Sequence, residues 1–299
     1  MSPSPLTLPL EIMIMIGKAV DSQRDLNALA QTSKALYPTL SLLLYRQDIA
    51  GPCNSLFWAA KTNNTAMISR IIDDNVHVDK TDKDNMMPLC YAARFNHIEA
   101  ATLLVEKGCR LEKPLLEAVR AGHEDMVRLI LDFAEEDEID VIVLNNALEE
   151  AASGPHDNGD IVQMLIDQGA ETDLGLGMGH DTPLIAAAGH NSLNVAQVLL
   201  DNKADIEALG YSFQTALQAA VVEGHLKMVE LLLANGAEVN MRAGDWGAAL
   251  TAAQFGADEP NEEVIDRLID AGAHPNQATE EFLESWNHCK RWLTLGERW

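Results

Sequence analysis

One six-residue block returns in phase along most of this chain, and that return constrains the fold more than any other feature. Pro88-Leu89-Cys90-Tyr91-Ala92-Ala93 resembles Pro183-Leu184-Ile185-Ala186-Ala187-Ala188, and both resemble Ala216-Leu217-Gln218-Ala219-Ala220-Val221. The leucine of the block falls at Leu56, Leu89, Leu115, Leu148, Leu184, Leu217 and Leu250, at intervals of 33, 26, 33, 36, 33 and 33 residues. A small residue keeps step at Ala59, Ala92, Ala118, Ala151, Ala187, Ala220 and Ala253. An aliphatic pair trails each block, from Ile71-Ile72 through Leu268-Ile269, and a stop follows at Gly108, Gly169, Gly236 and Gly272. Self-similarity at a period of this length marks a stacked-repeat architecture.

The pattern has a physical logic. A helix with Leu and Ala on one face packs closely on its neighbour, a short turn reverses the chain, and a second helix presents its aliphatic stripe to the same core. Glycine ends that helix because it takes the left-handed conformation without penalty. Proline before the block fits the first helical turn. Asp82-Lys83-Asp84-Asn85-Met86-Met87-Pro88-Leu89 and the run Gly224-His225-Leu226-Lys227-Met228-Val229-Glu230-Leu231-Leu232-Leu233 before Gly236-Ala237 resemble the ankyrin family. The resemblance implies an all-α chain: a solenoid of helix-turn-helix repeats with short hairpin tips, about seven of them over residues 54–276. Residues 277–299, with Phe282, Leu283, Trp286 and Trp292 at roughly helical spacing, are expected to cap it. The 26-residue interval removes most of one hairpin, and longer helix–helix turns fall at 153–159 and 256–261.

Residues 6–49 do not carry the repeat. Leu8-Pro9-Leu10-Glu11-Ile12 opens a helix with proline early and an acid in the first turn. Asp25-Leu26 with Leu29 follows, then Ser33-Lys34 with Leu36-Tyr37, and Gly51-Pro52 marks the junction. These strings resemble an F-box, and the stretch is expected to form a small helical F-box-like module. The resemblance implies docking on the Skp-type linker protein of a cullin-RING ubiquitin ligase, with Leu8, Pro9, Ile12, Leu26 and Leu29 carrying the contact. The alternative is that these aliphatics cover the first repeat.

The formal net charge is −25, with 46 Asp and Glu against 21 Lys and Arg, which disfavours nucleic acid and anionic membranes as partners. A basic protein surface suits it better. The apolar runs are too short to span a bilayer, so a cytoplasmic or nuclear location is expected. Cys53, Cys90, Cys109 and Cys289 show no paired or metal-ligand spacing. His97, His123 and His225 sit in the turn where the family uses histidine for structural hydrogen bonds, and His156-Asp157 and His180-Asp181 are loop pairs. The acidic clusters, Glu135 to Asp140 among them, lack the alternating oxygens and tight glycine turn of a Ca²⁺ loop. No catalytic residue, metal site or cofactor is assigned.

Hairpin tips and inner helices are where the family usually holds targets. Here the later tips carry Met178 and His180, Tyr211 and Phe213, and Asp245 and Trp246, side chains of the kind enriched at interface hot spots. Packing of neighbouring tips on one another is the competing account. The expected function is a non-catalytic substrate receptor of a Skp-cullin-F-box ligase, with the ankyrin surface selecting the target. The alternatives are an interaction scaffold without ligase docking and an enzyme using the ankyrin groove for a small molecule.

Overall fold

The structure is a computed structural model that describes residues 54–73, 77–135, 138–173, 181–210, 215–243, 247–255 and 261–274. The F-box-like residues Leu8, Pro9, Ile12, Leu26 and Leu29 lie outside the described residues. So do the tip residues Met178, His180, Tyr211, Phe213, Asp245 and Trp246, and the segment 277–299.

Fourteen helices are described, two for each leucine of the repeat. They are α1 (Asn54–Lys61), α2 (Thr65–Asp73), α3 (Pro88–Arg94), α4 (Ile98–Val105), α5 (Glu112–Arg120), α6 (Glu124–Phe133) and α7 (Val141–Ser153). Then come α8 (Gly159–Asp167), α9 (Pro183–Gly189), α10 (Leu193–Asp201), α11 (Ala216–Val222), α12 (Leu226–Ala234), α13 (Ala249–Phe255) and α14 (Glu262–Asp270). Odd-numbered helices carry the leucine block and are called inner; even-numbered helices carry the aliphatic pair and are called outer. No strand occurs among the described residues, only an isolated bridge between Ala243 and Gly247.

The chain forms two compact units. The first holds the described residues to 118 with 125–134, and the second holds 119–124 with 135 onward. Within the first, inner helix α1 packs on α3 and outer helix α2 on α4. Within the second, α7, α9, α11 and α13 pack in sequence, as do α8, α10, α12 and α14. The seven phased leucines are all buried, none more than 3% exposed. Each such side chain removed from water contributes about 1.5–3 kcal/mol. The leading member of each aliphatic pair is buried with them, Ile71, Leu104, Ile130, Leu165, Leu199, Leu232 and Leu268. The glycine stops at 108, 169, 236 and 272 all hold positive φ.

Repeats three and four depart from the pattern. Only residues 106–111 separate α4 from α5, as the short interval requires. The connection from α6 to α7, 134–140, is one residue longer and still short, because α7 runs 13 residues and starts well before its leucine. Asp140 caps it by accepting the Ile142 N–H, and Leu144 and Leu148 are buried one turn apart. Helix thus fills most of this connection, and the acidic stretch 135–140 supplies its cap through Asp140.

Candidate functional site

The turns between inner and outer helices hold successive repeats together. A ring nitrogen of His97 hydrogen-bonds the Ala60 carbonyl at 2.9 Å, and His225 bonds the Gly189 carbonyl at 3.1 Å. A carbonyl only accepts, so the proton sits on Nδ1 of His97 and Nε2 of His225. The structural role expected of these histidines is what they perform. In the last repeat Asn261 takes this place, donating to the Gly224 carbonyl at 3.1 Å.

A second link runs forward. Asn63 Oδ1 accepts the Ala100 N–H at 3.2 Å, so a turn residue of one repeat caps the outer helix of the next. Asp157 does the same for α10. Its Oδ2 accepts the Asn194 N–H at 3.1 Å, and its Oδ1 accepts the Val195 N–H at 3.0 Å. The local N-cap of α10, Ser192, makes no side-chain cap bond, so this helix is capped from the preceding repeat.

The fourth repeat is where these links build a concavity. Its turn begins after α7 and brings Gly154, Pro155, His156 and Asp157 ahead of α8. The His156 ring lies against Gly122, where a Cβ would stand only 2.7 Å from the ring. Gly122 also holds φ +69°, so glycine is required there twice over. On the other side Gly159 lets α10 approach, since a Cβ would meet the Val198 side chain at 3.0 Å. The result is an open cleft of about 710 Å³ within the second unit. Glu124, Asp157 and Asp160 line it together with the amides of Asn158, Asn194 and Gln197, and no Lys or Arg is among its lining residues.

Charge sets this unit apart. Residues 135–274 carry 26 Asp and Glu against 4 Lys and Arg, a net −22 of the −25 in the whole chain. Residues 1–134 carry 16 against 14. Between Arg128 and Lys203 there is neither a lysine nor an arginine. Total charge alone conceals this split; counting by segment exposes it.

In the first unit the cations are used. Lys61 Nζ stands 3.7 Å above the Tyr91 ring, and Arg94 pairs with the buried Glu117 at 2.7 Å. In the second unit Arg120 pairs with Glu150 in the same register. Each cation ends an inner helix and reaches a residue of the next one, Tyr91, Glu117 and Glu150 in turn. The Tyr91 hydroxyl donates to Asp82. Burial first, and then that carboxylate, push the Tyr91 pKa up to about 12. Burial works against the Asp82 carboxylate, but the Tyr91 hydroxyl, the Met86 and Asp84 N–H groups and Lys61 outweigh it and hold its pKa below the ordinary range. Burial raises the Cys90 thiol to about 11 and Cys109 to about 12, so neither is a thiolate at neutral pH. No group of three or more His, Cys, Asp or Glu placed to hold a metal occurs among the described residues.

The comparisons agree with this architecture. The family model for ankyrin repeats (three copies) matches residues 27–114 and 148–243, more than half of the chain. The gap between the matches, 115–147, takes in most of the third repeat and the start of α7, and the first match starts inside the F-box-like stretch. Over 178 residues the chain is 30% identical to the ankyrin repeat and KH domain-containing protein mask-1 of Caenorhabditis elegans. That alignment takes in 48% of this chain and 7% of that protein, so the chain spans a small fraction of this relative. The crystal structure of the human ASB11 ankyrin repeat domain superposes with a TM-score of 0.63 at 21% identity, covering 74% of this chain and 99% of that one. The ankyrin repeat domain of Bcl-3, described as a member of the IkappaB protein family, gives 0.59 at 24% identity, covering 72% and 97%.

Proposed function

This chain belongs to the ankyrin-repeat family, and on that premise we propose that it is the substrate receptor of a Skp-cullin-F-box ubiquitin ligase. Ankyrin repeats bind protein partners, and a protein-binding scaffold is the part of this function the family itself carries. The finer role rests on one observation, the string Leu8-Pro9-Leu10-Glu11-Ile12 followed by Asp25-Leu26 and Leu29, which resembles the linker-docking helices of an F-box. The receptor performs no bond chemistry. It holds a target near the transferring enzyme, which raises the effective concentration of the acceptor lysine. The target surface is assigned to the tips bearing Met178, His180, Tyr211, Phe213, Asp245 and Trp246, where rigid aromatics supply contact area. The protein works in the cytoplasm or nucleus; no helix among the described residues is long and apolar enough to cross a membrane.

Affinity capture from native extract tests the role. The full chain is expected to retain the Skp-type linker, and Leu8→Ala with Pro9→Ala is expected to release it. Absence of the linker from the wild-type capture, with the linker present in the extract, refutes the receptor role. In the same capture, Tyr211→Ala, Phe213→Ala and Trp246→Ala together are expected to lose the target and keep the linker. A scaffold without ligase docking is the second reading, favoured by the family match that begins at residue 27 and so claims half of the F-box-like stretch for the repeats.

A further inference from the structure

We infer that the cleft of the fourth repeat holds a basic segment, rich in Lys or Arg, of a partner protein. Two independent observations meet there. The first is shape: the extended turn, Gly122 and the start of α10 enclose about 710 Å³. Clefts that take ligands hold about 300–1,000 Å³. The second is field: residues 135–274 carry 26 acids against 4 bases, and the cleft is lined by Glu124, Asp157 and Asp160 with no lysine or arginine among its lining residues. Those four bases, together with Arg120 that pairs with Glu150, are too few to neutralise 26 acids.

The chemistry selects the occupant. Anionic partners, whether nucleic acid or lipid, are repelled by this unit. A single metal ion needs several oxygens converging on one point. Both Asp157 oxygens are instead turned to the α10 N–H groups, and no metal-holding cluster occurs among the described residues. The acids are spread over three elements, at the starts of α6 and α8 and in the turn between α7 and α8. Several cations spaced along an extended chain match that spread. The side-chain amides of Asn158, Asn194 and Gln197 offer neutral partners between them. Complementary charge draws such a segment in and fixes its placement. The cleft lies at the turns between inner and outer helices, and its lining includes none of the residues assigned to the target surface above. The inference rests on the protein-binding half of the proposed function and not on ligase docking.

The test uses the full chain and a fluorescein-labelled peptide alternating Arg and Ser, followed by anisotropy at 50 and 200 mM NaCl. Binding is expected at low salt and at least tenfold weaker at the higher salt, and a peptide with Glu in place of Arg is expected not to bind. Glu124→Gln with Asp160→Asn is expected to weaken binding at least fivefold. Glu262→Gln with Glu263→Gln removes the same charge from α14 and is expected to change it less than twofold. No binding at 50 mM NaCl overturns the inference, as does equal weakening by the two pairs, which would mean the whole acidic surface attracts the peptide. Displacement of the peptide by micromolar Ca²⁺ alone would also overturn it. Linker capture is read separately, so loss of the receptor role leaves this result standing.

Discussion

Removing the Asp157 side chain tests whether α10 is capped from its neighbour. Asp157→Ala deletes two acceptors, at 3.1 Å from the Asn194 nitrogen and 3.0 Å from the Val195 nitrogen. Loss of an N-cap acceptor costs about 0.5–2 kcal/mol, and loss of a negative charge at a helix N-terminus about 0.3–1 kcal/mol. Asp157 is exposed, so water replaces part of what is lost. The expected destabilisation is therefore about 1–2 kcal/mol, toward the lower end of the summed range. Asp157→Asn keeps one acceptor oxygen without the charge and is expected to cost roughly half of that. Urea unfolding followed by helical circular dichroism gives the free energy, with an unchanged slope expected because the buried area is the same. Native-state hydrogen exchange gives the location: protection at the Asn194 and Val195 amides should fall while the first unit keeps its own. A loss below about 0.5 kcal/mol, typical of an unremarkable surface position, together with unchanged exchange at those two amides would refute the trans-repeat cap.

Tyr91 is expected to ionise late, near pH 12, in a spectrophotometric titration of the four tyrosines. Because its folded pKa is raised, its contribution to stability is present below pH 10 and lost between pH 10 and about 12, and Tyr91→Phe should abolish the late step; a titration without a late tyrosine refutes this. Gln254 occupies the place of a small aliphatic residue in the other inner helices, and both atoms of its buried amide lack a hydrogen-bond partner. Gln254→Leu is expected to raise stability by about 1 kcal/mol, since an unsatisfied buried polar group costs about 1–3 kcal/mol; a lower urea midpoint would show that the amide is satisfied in solution.

The core was legible because it repeats. Seven leucines in phase identify inner helices without any knowledge of tertiary contacts, and all seven are buried. The glycine stops were legible for the same reason, and the histidine links followed from the family resemblance. What the sequence concealed depends on register between repeats. Asp157 and Val195 are 38 residues apart, and nothing in their spacing shows that a carboxylate of one turn meets the helix start of the next. The extension of α7 was hidden differently. Val141-Ile142-Val143 is β-branched and favours a strand. Helix prevails because Asp140 caps it and because Leu144 and Leu148 share one buried face. The split of charge was open to counting, yet a single net figure averages it away.

Of the two irregularities of the fourth repeat, it is the longer turn that builds the cleft. In a stacked array each unit contacts only its neighbours, so a deviant unit burdens two interfaces and leaves the remainder unaffected. The longer turn of this repeat uses both interfaces, setting His156 on Gly122 behind it and Asp157 on the start of α10 ahead. Those contacts stabilise the insertion that opens the cleft, so the cleft and its support are one construction. A position that breaks the local pattern while gaining specific contacts on both sides is where function is expected in a chain otherwise consistent with its fold. Restoring the regular turn length would therefore remove the cleft and the α10 cap together, whereas neutralising Glu124 and Asp160 would remove only the field. The two perturbations separate shape from charge, and the basic segment requires both.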